Sequence, residues 1–241
     1  MFLRRLFKMN LSDSLEKIKE FLLKRYKDNL AGILVFGTAN TGEFIEGKSD
    51  IDTMIFLNKL DLQKETNFLI EKLKSIDFAT QYFYTLEGIK GKYMKNRGRW
   101  STYVTIVSKE GSKLLYTTPE FERTKKYLIE NPKIKEEINE YIREKDDFEL
   151  EGYFKEREGY SLMKALLAHI RRKLQIINYY KTGKINFNYR NCLKNINLEA
   201  NGKLEKFYGI YEEKRDLTKE EIKDYYQIAK KLTEIIINYP K

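Results

Sequence analysis

Two short groups of residues near the amino terminus are of types that could bind the phosphates of a nucleotide. Asp50 and Asp52 stand at the start of an apolar run that ends at Leu57. Because side chains in a strand alternate between two faces, we expect both carboxylates on the same face. Adjacent carboxylates repel each other unless a cation lies between them, and Mg²⁺ prefers carboxylate oxygens while keeping positions for water and phosphate. The spacing therefore predicts a magnesium site.

The second group, Gly37 and Thr38, follows the apolar run of residues 32–36, which predicts a buried strand ending in a turn. A glycine lets backbone N–H groups approach a phosphate closely, and the neighbouring threonine hydroxyl can donate to a phosphate oxygen. A phosphate-binding turn beside two metal-binding acids describes a nucleotidyl-transfer site. In such a site metal ions stabilise charge on the transferred phosphoryl group and on the leaving pyrophosphate.

The elements that must position these residues are predicted from the spacing of apolar side chains. A first helix is predicted over residues 13–30, with Asp13 and Glu16 as a capping box at its start. Strands are predicted over residues 32–36, 51–57, 78–85, 100–107 and 113–117, and a second helix over residues 61–76. Gly42 and Gly47 mark the loop between the first two strands.

From Thr118 onward the pattern is helical. Thr118 as N-cap and Pro119 at the first helical position predict a helix to about Glu130. Further helices are predicted over residues 147–180, with Gly183 as a stop, and over 189–196, 201–213 and 218–239, the last with Thr218 and Glu221 as a capping box.

The predicted fold class is therefore α+β: a mixed sheet with flanking helices, followed by an all-α helical bundle. We expect a first domain over residues 1–130, a helical linker over residues 131–147 and a helical carboxy-terminal domain over residues 148–241.

The combination of Gly37-Thr38 with Ser49-Asp50-Ile51-Asp52 resembles the signature of the DNA polymerase β-like nucleotidyltransferase superfamily. The segment from Gly37 to Asp50 is similar to that of minimal and aminoglycoside nucleotidyltransferases. The resemblance covers residues 11–118, and the helical remainder is similar in pattern to the carboxy-terminal domains of aminoglycoside nucleotidyltransferases and to HEPN-type partners. It implies a nucleotidyltransferase-like mixed sheet.

The same resemblance implies roles for individual residues. Asp50 and Asp52 would be the catalytic, metal-binding residues, and two Mg²⁺ ions are possible. The nucleotide-binding residues would be Gly37, Thr38, Ser49 and Lys48, with a solvated loop lysine as the alternative reading of Lys48. The implied substrate is an NTP, with ATP as the expected one.

The sequence departs from the family at the third carboxylate, which many members carry on a following strand as a general base or metal ligand. Thr80 stands at the expected position in this chain. The alternative acids are Asp77, Glu87, Glu149, Glu151 and Glu158.

Composition narrows the class of protein. The 241 residues include 46 Lys plus Arg and 36 Asp plus Glu, which gives a net charge of +10. This positive charge is typical of a protein that binds a nucleotide or a nucleic acid, and it is equally typical of a solvated lysine-rich surface. One cysteine, Cys192, and one histidine, His169, exclude an intramolecular disulfide and a Cys/His zinc site. Both are predicted to be structural. The apolar runs are short, so we expect no membrane segment and a cytoplasmic location.

The expected function is Mg²⁺-dependent transfer of an NMP, AMP from ATP, to an acceptor hydroxyl with release of pyrophosphate. The acceptor stays open among a small molecule, a protein side chain and an RNA end, and a homodimer is possible. Two alternatives also stay open: a catalytically weakened member of the fold that acts as an antitoxin-like partner, and an RNA-binding protein that keeps the fold as a scaffold.

Overall fold

The computed structural model describes residues 10–42, 44, 51–61, 63–65, 67, 81–90, 99–108, 110–132, 135–139, 159–196, 200–213 and 215–239. The chain divides into two compact units. The first contains Met1–Arg97 and Thr105–Pro132, and the second contains Gly98–Val104 and Lys133–Lys241.

The first unit contains a four-stranded mixed sheet. Its strands are β1 (Leu30–Phe36), β2 (Asp52–Leu57), β3 (Gln81–Thr85) and β4 (Ser112–Thr117). The spatial order is β3-β2-β1-β4, with β1 antiparallel to both β2 and β4 and with β2 parallel to β3. The mixed sheet predicted from the sequence is confirmed, and the strand that carries Gly37 at its end is central.

Five helices precede, separate or follow these strands along the chain: α1 (Leu11–Tyr26), α2 (Thr38–Thr41), α3 (Leu86–Lys90), α4 (Arg99–Val107) and α5 (Pro119–Glu130). Helix α4 belongs to the second unit up to Val104. Thr118 caps α5 as predicted, with its hydroxyl accepting a hydrogen bond from the backbone N–H of Phe121. The helix predicted over residues 61–76 lies largely outside the described residues.

The two faces of the sheet are covered differently. On one face, Ile18 and Leu22 of α1 pack with Ile33 and Ile55 in a common apolar core. On the other face, the fully buried ring of Phe121 lies over Gly32 and within 4.7 Å of the ring of Phe56, measured between centroids. Each fully buried aliphatic or aromatic side chain contributes roughly 1.5–3 kcal/mol, so burial on both faces stabilises the frame of the site.

The strand predicted over residues 100–107 is wrong, because this segment forms helix α4. All five residues from Thr102 to Ile106 are buried. A run without alternation fits a strand buried on both faces or a helix buried all round, and its β-branched residues favoured the strand. The fourth sheet position is taken by β4, which pairs directly with β1.

The predicted start of the first helix also needs correction. The N-cap is Asn10, whose side chain accepts a hydrogen bond of 2.9 Å from the backbone N–H of Asp13. Asp13 therefore lies in the first turn and does not cap the helix, and the helix ends at Tyr26.

The second unit is helical, with α6 (Gly159–Thr182), α7 (Tyr189–Asn195), α8 (Asn201–Glu213) and α9 (Lys219–Ile237). The capping box of Thr218 and Glu221 is confirmed. Gly183 ends α6 with φ of +69°, and its N–H donates to the carbonyl of Tyr179 at 2.8 Å. Residues 147–158 of the predicted long helix lie outside the described residues.

Among the described helices of this unit, α6 has the largest share of buried residues. Its core side chains include His169, which is 2% exposed. Cys192 of α7 is fully buried, and its thiol donates to the carbonyl of Asn186 at 3.2 Å, as expected of a packing residue. In the described part of the chain no helix is both long enough and apolar enough to span a membrane.

Candidate active site

The site begins where strand β1 ends, at Gly37. This residue has φ of +67° and ψ of −149°, a region of backbone conformation that is essentially restricted to glycine. A Cβ atom on Gly37 would lie 2.8 Å from Oδ2 of Asp52. Both the backbone conformation and the close carboxylate therefore require a residue without a side chain at this position.

The pairing of the first two strands brings these residues together. Phe36, the last residue of β1, lies opposite Asp52, the first residue of β2, in the antiparallel register. The apolar run before Gly37 and the apolar run after Asp52 set this register, because a shift by one residue would turn Ile33 and Ile55 out of the core. The half-buried Asp52 is thereby held beside the turn that follows β1.

Gly37 is also the first residue of a tight turn. Its carbonyl accepts hydrogen bonds from the backbone N–H groups of Asn40 and Thr41, both at 3.1 Å, and these bonds close the single helical turn α2. Thr38 is the first residue of α2, and its side chain is half-buried. The side-chain amide of Asn40 donates to the carbonyl of Glu110 at 2.7 Å.

Aromatic side chains share the sheet face of Asp52. Phe36 lies opposite Asp52, and Tyr82 lies opposite Met54, two residues further along β2. The rings of Phe36 and Tyr82 have centroids 5.7 Å apart. Tyr82 is 39% exposed, whereas its neighbour Phe83 packs against the core on the α1 face. On β3, Phe83 is thus part of the core, whereas Tyr82 is partly open to solvent.

Comparison with known proteins agrees with this geometry. Residues 15–97, about a third of the chain, match the family model described as a nucleotidyltransferase domain. These residues of the amino-terminal unit are similar to a nucleotidyltransferase domain. No curated protein sequence matches the chain significantly.

The fold is similar to solved structures over most of the chain. One is the crystal structure of spectinomycin adenyltransferase AAD(9) from Enterococcus faecialis with ATP and spectinomycin. The TM-score is 0.63 at 15% sequence identity, and the match covers 93% of this chain and 100% of that one. The chain therefore has the α+β nucleotidyltransferase fold followed by a helical region.

Within the matched residues, the structure brings together three of the residues singled out by sequence, Gly37, Thr38 and Asp52. Lys48, Ser49 and Asp50 lie outside the described residues, as do Thr80, Asp77, Glu149, Glu151 and Glu158. Among the described side chains, no three or more His, Cys, Asp or Glu residues form a group that could hold a metal ion.

Glu87 can be placed, and it is far from Asp52. The strands β2 and β3 are parallel, with Leu57 opposite Thr85, and Glu87 follows β3 in the exposed part of α3. At about 3.3 Å per residue, the length of β2 puts Glu87 roughly 17 Å or more from Asp52 along the strand direction. Glu87 therefore lies too far from Asp52 for the two carboxylates to act at one site.

Sequence reasoning did not single out Asn40. The segment after Gly37 was expected to be a loop marked by Gly42 and Gly47, and a short helical turn occupies its first part. An asparagine between two glycines suggests a turn, but no sequence signal connects it to Glu110, which is 70 residues further along the chain.

Proposed function

We propose that this chain transfers a nucleoside monophosphate, AMP from ATP, to an acceptor hydroxyl with release of pyrophosphate, using Mg²⁺. The observation that carries this proposal is the contact between Gly37 and Asp52. It joins a strand-end glycine turn to a carboxylate within a nucleotidyltransferase domain.

The residues present fit a magnesium ion. Asp52 offers a carboxylate, the hard oxygen ligand that Mg²⁺ prefers, and the missing side chain of Gly37 leaves space beside Oδ2 of that carboxylate. Asp50 and Asp52 would hold the metal. When bound, Mg²⁺ would stabilise negative charge on the transferred phosphoryl group and the pyrophosphate.

The protein residues bind and orient the nucleotide. Gly37 admits a phosphate close to the backbone of the turn, and the Thr38 hydroxyl donates to a phosphate oxygen. Ser49 and Lys48 are proposed to support the same phosphates. In the reaction the acceptor oxygen bonds to the α-phosphorus, and the bond from that phosphorus to the bridging oxygen breaks. Pyrophosphate takes the electron pair, and the hydroxyl proton passes to a base or to solvent.

A second candidate function follows from the position of Glu87. Because this acid lies at the other end of the β2–β3 pair, it does not replace the strand acid that many family members use as a base. A protein that binds a nucleotide without efficient transfer, as an antitoxin-like or RNA-binding partner, would keep the Gly37–Asp52 contact for binding alone.

The test uses the full chain with ATP labelled at the α-phosphate. Transfer is measured with and without Mg²⁺ to spectinomycin, the compound named with the structurally similar adenyltransferase, to RNA with a free 3′ hydroxyl and to the protein itself. We expect labelled AMP on one of these acceptors and at least a hundredfold loss, roughly, in Asp52→Asn.

Asp28→Asn is the matched control, because Asp28 is an exposed aspartate before the opposite end of β1 and should leave transfer unchanged. Binding of Mg·ATP without transfer would favour the second candidate function. Neither binding nor transfer in the wild-type chain would contradict both.

A further inference from the structure

We propose that Asn40 is a positioning residue for nucleotide binding. Its side-chain amide fixes the turn at Gly37 and Thr38 in the conformation that receives the phosphates of the nucleotide. The inference rests on the proposed function, since it takes the nucleotide as the ligand of that turn.

The turn needs contacts from outside itself. Helix α2 contains only the four residues Thr38–Thr41, and two hydrogen bonds to the carbonyl of Gly37 close it. A single helical turn is unfavourable by itself, because fixing its backbone costs more free energy than one or two hydrogen bonds return. Ala39 supplies one anchor by packing against the apolar core on the α1 face. The hydrogen bond from Asn40 Nδ2 to the carbonyl of Glu110, at 2.7 Å, supplies another.

The carbonyl that accepts this bond is held in place by its own loop. The backbone N–H of Glu110 donates to the Ser108 hydroxyl at 3.3 Å, and the N–H of the buried Gly111 donates to the Ser108 carbonyl at 3.3 Å. The hydroxyl of Ser112 then donates to the carbonyl of Thr105 at 2.8 Å. The carbonyl that accepts the hydrogen bond of Asn40 therefore belongs to a segment with hydrogen bonds of its own.

The segment that carries Asn40 and the segment that carries Glu110 are also connected through the sheet. Ser112 is the first residue of β4 and lies opposite Phe36, the residue before Gly37. The segment from Phe36 to Asn40 and the segment from Glu110 to Ser112 are thus joined at one end by strand pairing and at the other by the hydrogen bond from Asn40. The hydrogen bond of Asn40 therefore sets the distance between α2 and the start of β4.

Loss of the amide donor should loosen the turn without unfolding the domain. Asp has nearly the size and turn preference of Asn but its carboxylate cannot donate to a carbonyl, and hydrogen exchange measured without nucleotide separates this loss from repulsion of the phosphates by the added charge. Gln keeps an amide donor on a longer side chain. We expect Asn40→Asp to weaken Mg·ATP binding roughly tenfold, and Asn40→Gln to retain part of the affinity.

A matched control lies in the same unit. Asn58 Nδ2 donates to the carbonyl of Asp28 at 3.0 Å, a bond of the same chemical kind, and Asn58 follows the end of β2 that is away from Asp52. Asn58→Asp should lower thermal stability by a similar amount and leave the affinity for Mg·ATP unchanged.

The experiment measures Mg·ATP affinity by calorimetry, the melting temperature, and hydrogen exchange of the amides of residues 38–42 without nucleotide, in the full chain and its variants. Weaker binding and faster exchange in Asn40→Asp, with neither change in Asn58→Asp, support the proposal, whereas weaker binding with unchanged exchange would overturn it. Equal affinity in wild type, Asn40→Asp and Asn58→Asp would overturn it while leaving the proposed function intact. No Mg·ATP binding by the wild-type chain would overturn both.

Discussion

Oδ2 of Asp52 lies 2.8 Å from the point where a Cβ atom on Gly37 would stand. Gly37→Ala therefore combines two penalties, a backbone strain of about 1–3 kcal/mol and a methyl group pressed against the carboxylate. We expect lower stability and a loss of Mg·ATP binding, measured by chemical denaturation and calorimetry. Gly42→Ala is the control, because Gly42 has φ of +76° and, among the described residues beyond its chain neighbours, no atom lies within 4 Å of its would-be Cβ. Gly42→Ala should lower the free energy of unfolding through backbone strain alone. Equal losses of Mg·ATP binding in Gly37→Ala and Gly42→Ala would contradict a specific role for the space between Gly37 and Asp52.

Glu221 should make the helical unit sensitive to acid. The hydrogen bonds from the Arg215 guanidinium, at 2.8 and 2.9 Å, are the main cause that lowers the pKa of this carboxyl to about 2, and the N–H of Thr218 adds to it. Because the folded pKa is below the unfolded value of 4.5, the charged pair stabilises the fold above about pH 4.5 and its contribution is lost as the pH falls towards 2.

Glu221→Gln isolates this ion pair, since glutamine can keep the capping box with Thr218. We expect lower stability at pH 7 and a shallower loss of stability between pH 4.5 and 2, measured by denaturant unfolding at several pH values. Glu220→Gln, in the same first turn of α9, is the control. An acid dependence that is unchanged in Glu221→Gln would show that other carboxylates control it.

Glu65 should matter more for stability than an exposed glutamate does. It is 6% exposed, accepts a hydrogen bond from the Tyr26 hydroxyl and lies 3.6 Å from the Arg25 guanidinium. Glu65→Ala removes the buried carboxylate from the Tyr26 hydroxyl and from the Arg25 guanidinium. We therefore expect the free energy of unfolding to fall by about 1–3 kcal/mol. Glu16→Ala, which removes an exposed ion pair with Lys19, should cost under about 0.5 kcal/mol. Denaturant unfolding measures both, and similar losses would contradict the assigned burial.

Gly32 and Phe121 should behave as a coupled pair. Ring carbons of Phe121 lie 3.0 Å from the would-be Cβ of Gly32, so Gly32→Ala pushes against a fully buried ring. We expect about 1–3 kcal/mol of destabilisation from Gly32→Ala. Phe121→Ala, which leaves a cavity, should cost about 3–5 kcal/mol. The double variant Gly32→Ala with Phe121→Leu should lose less than the sum of its single variants, and simple additivity would argue against the contact.

The first two strands and the glycine turn could be predicted because short-range signals agree there. The apolar runs at β1 and β2 are bounded by turn residues, and their antiparallel pairing brings Gly37 to Asp52 with no information from elsewhere in the chain. The capping box of Thr218 and Glu221 was predictable for the same reason, since the residues that define it are three positions apart.

The sequence predictions fail where the local structure depends on contacts with other segments of the chain. Helix α4 was predicted as a strand because burial all round removes the periodicity that distinguishes the two. At the start of α1, Asn10 and Asp13 are both acceptable caps by residue type, and the choice depends on where the chain before the helix turns. The bond from Asn40 to Glu110 joins segments that only the folded sheet brings together.

The position of β1 between β2 and β4 has a practical consequence for fragments of this chain. The family match ends at residue 97, but β4 and α5 follow it, over Ser112–Thr117 and Pro119–Glu130. A polypeptide cut at residue 97 would leave a row of backbone donors and acceptors on β1 open to any other strand, and the sheet face under Phe121 bare. Such a truncation should aggregate, and the shortest autonomous version of this unit has to extend to about residue 132.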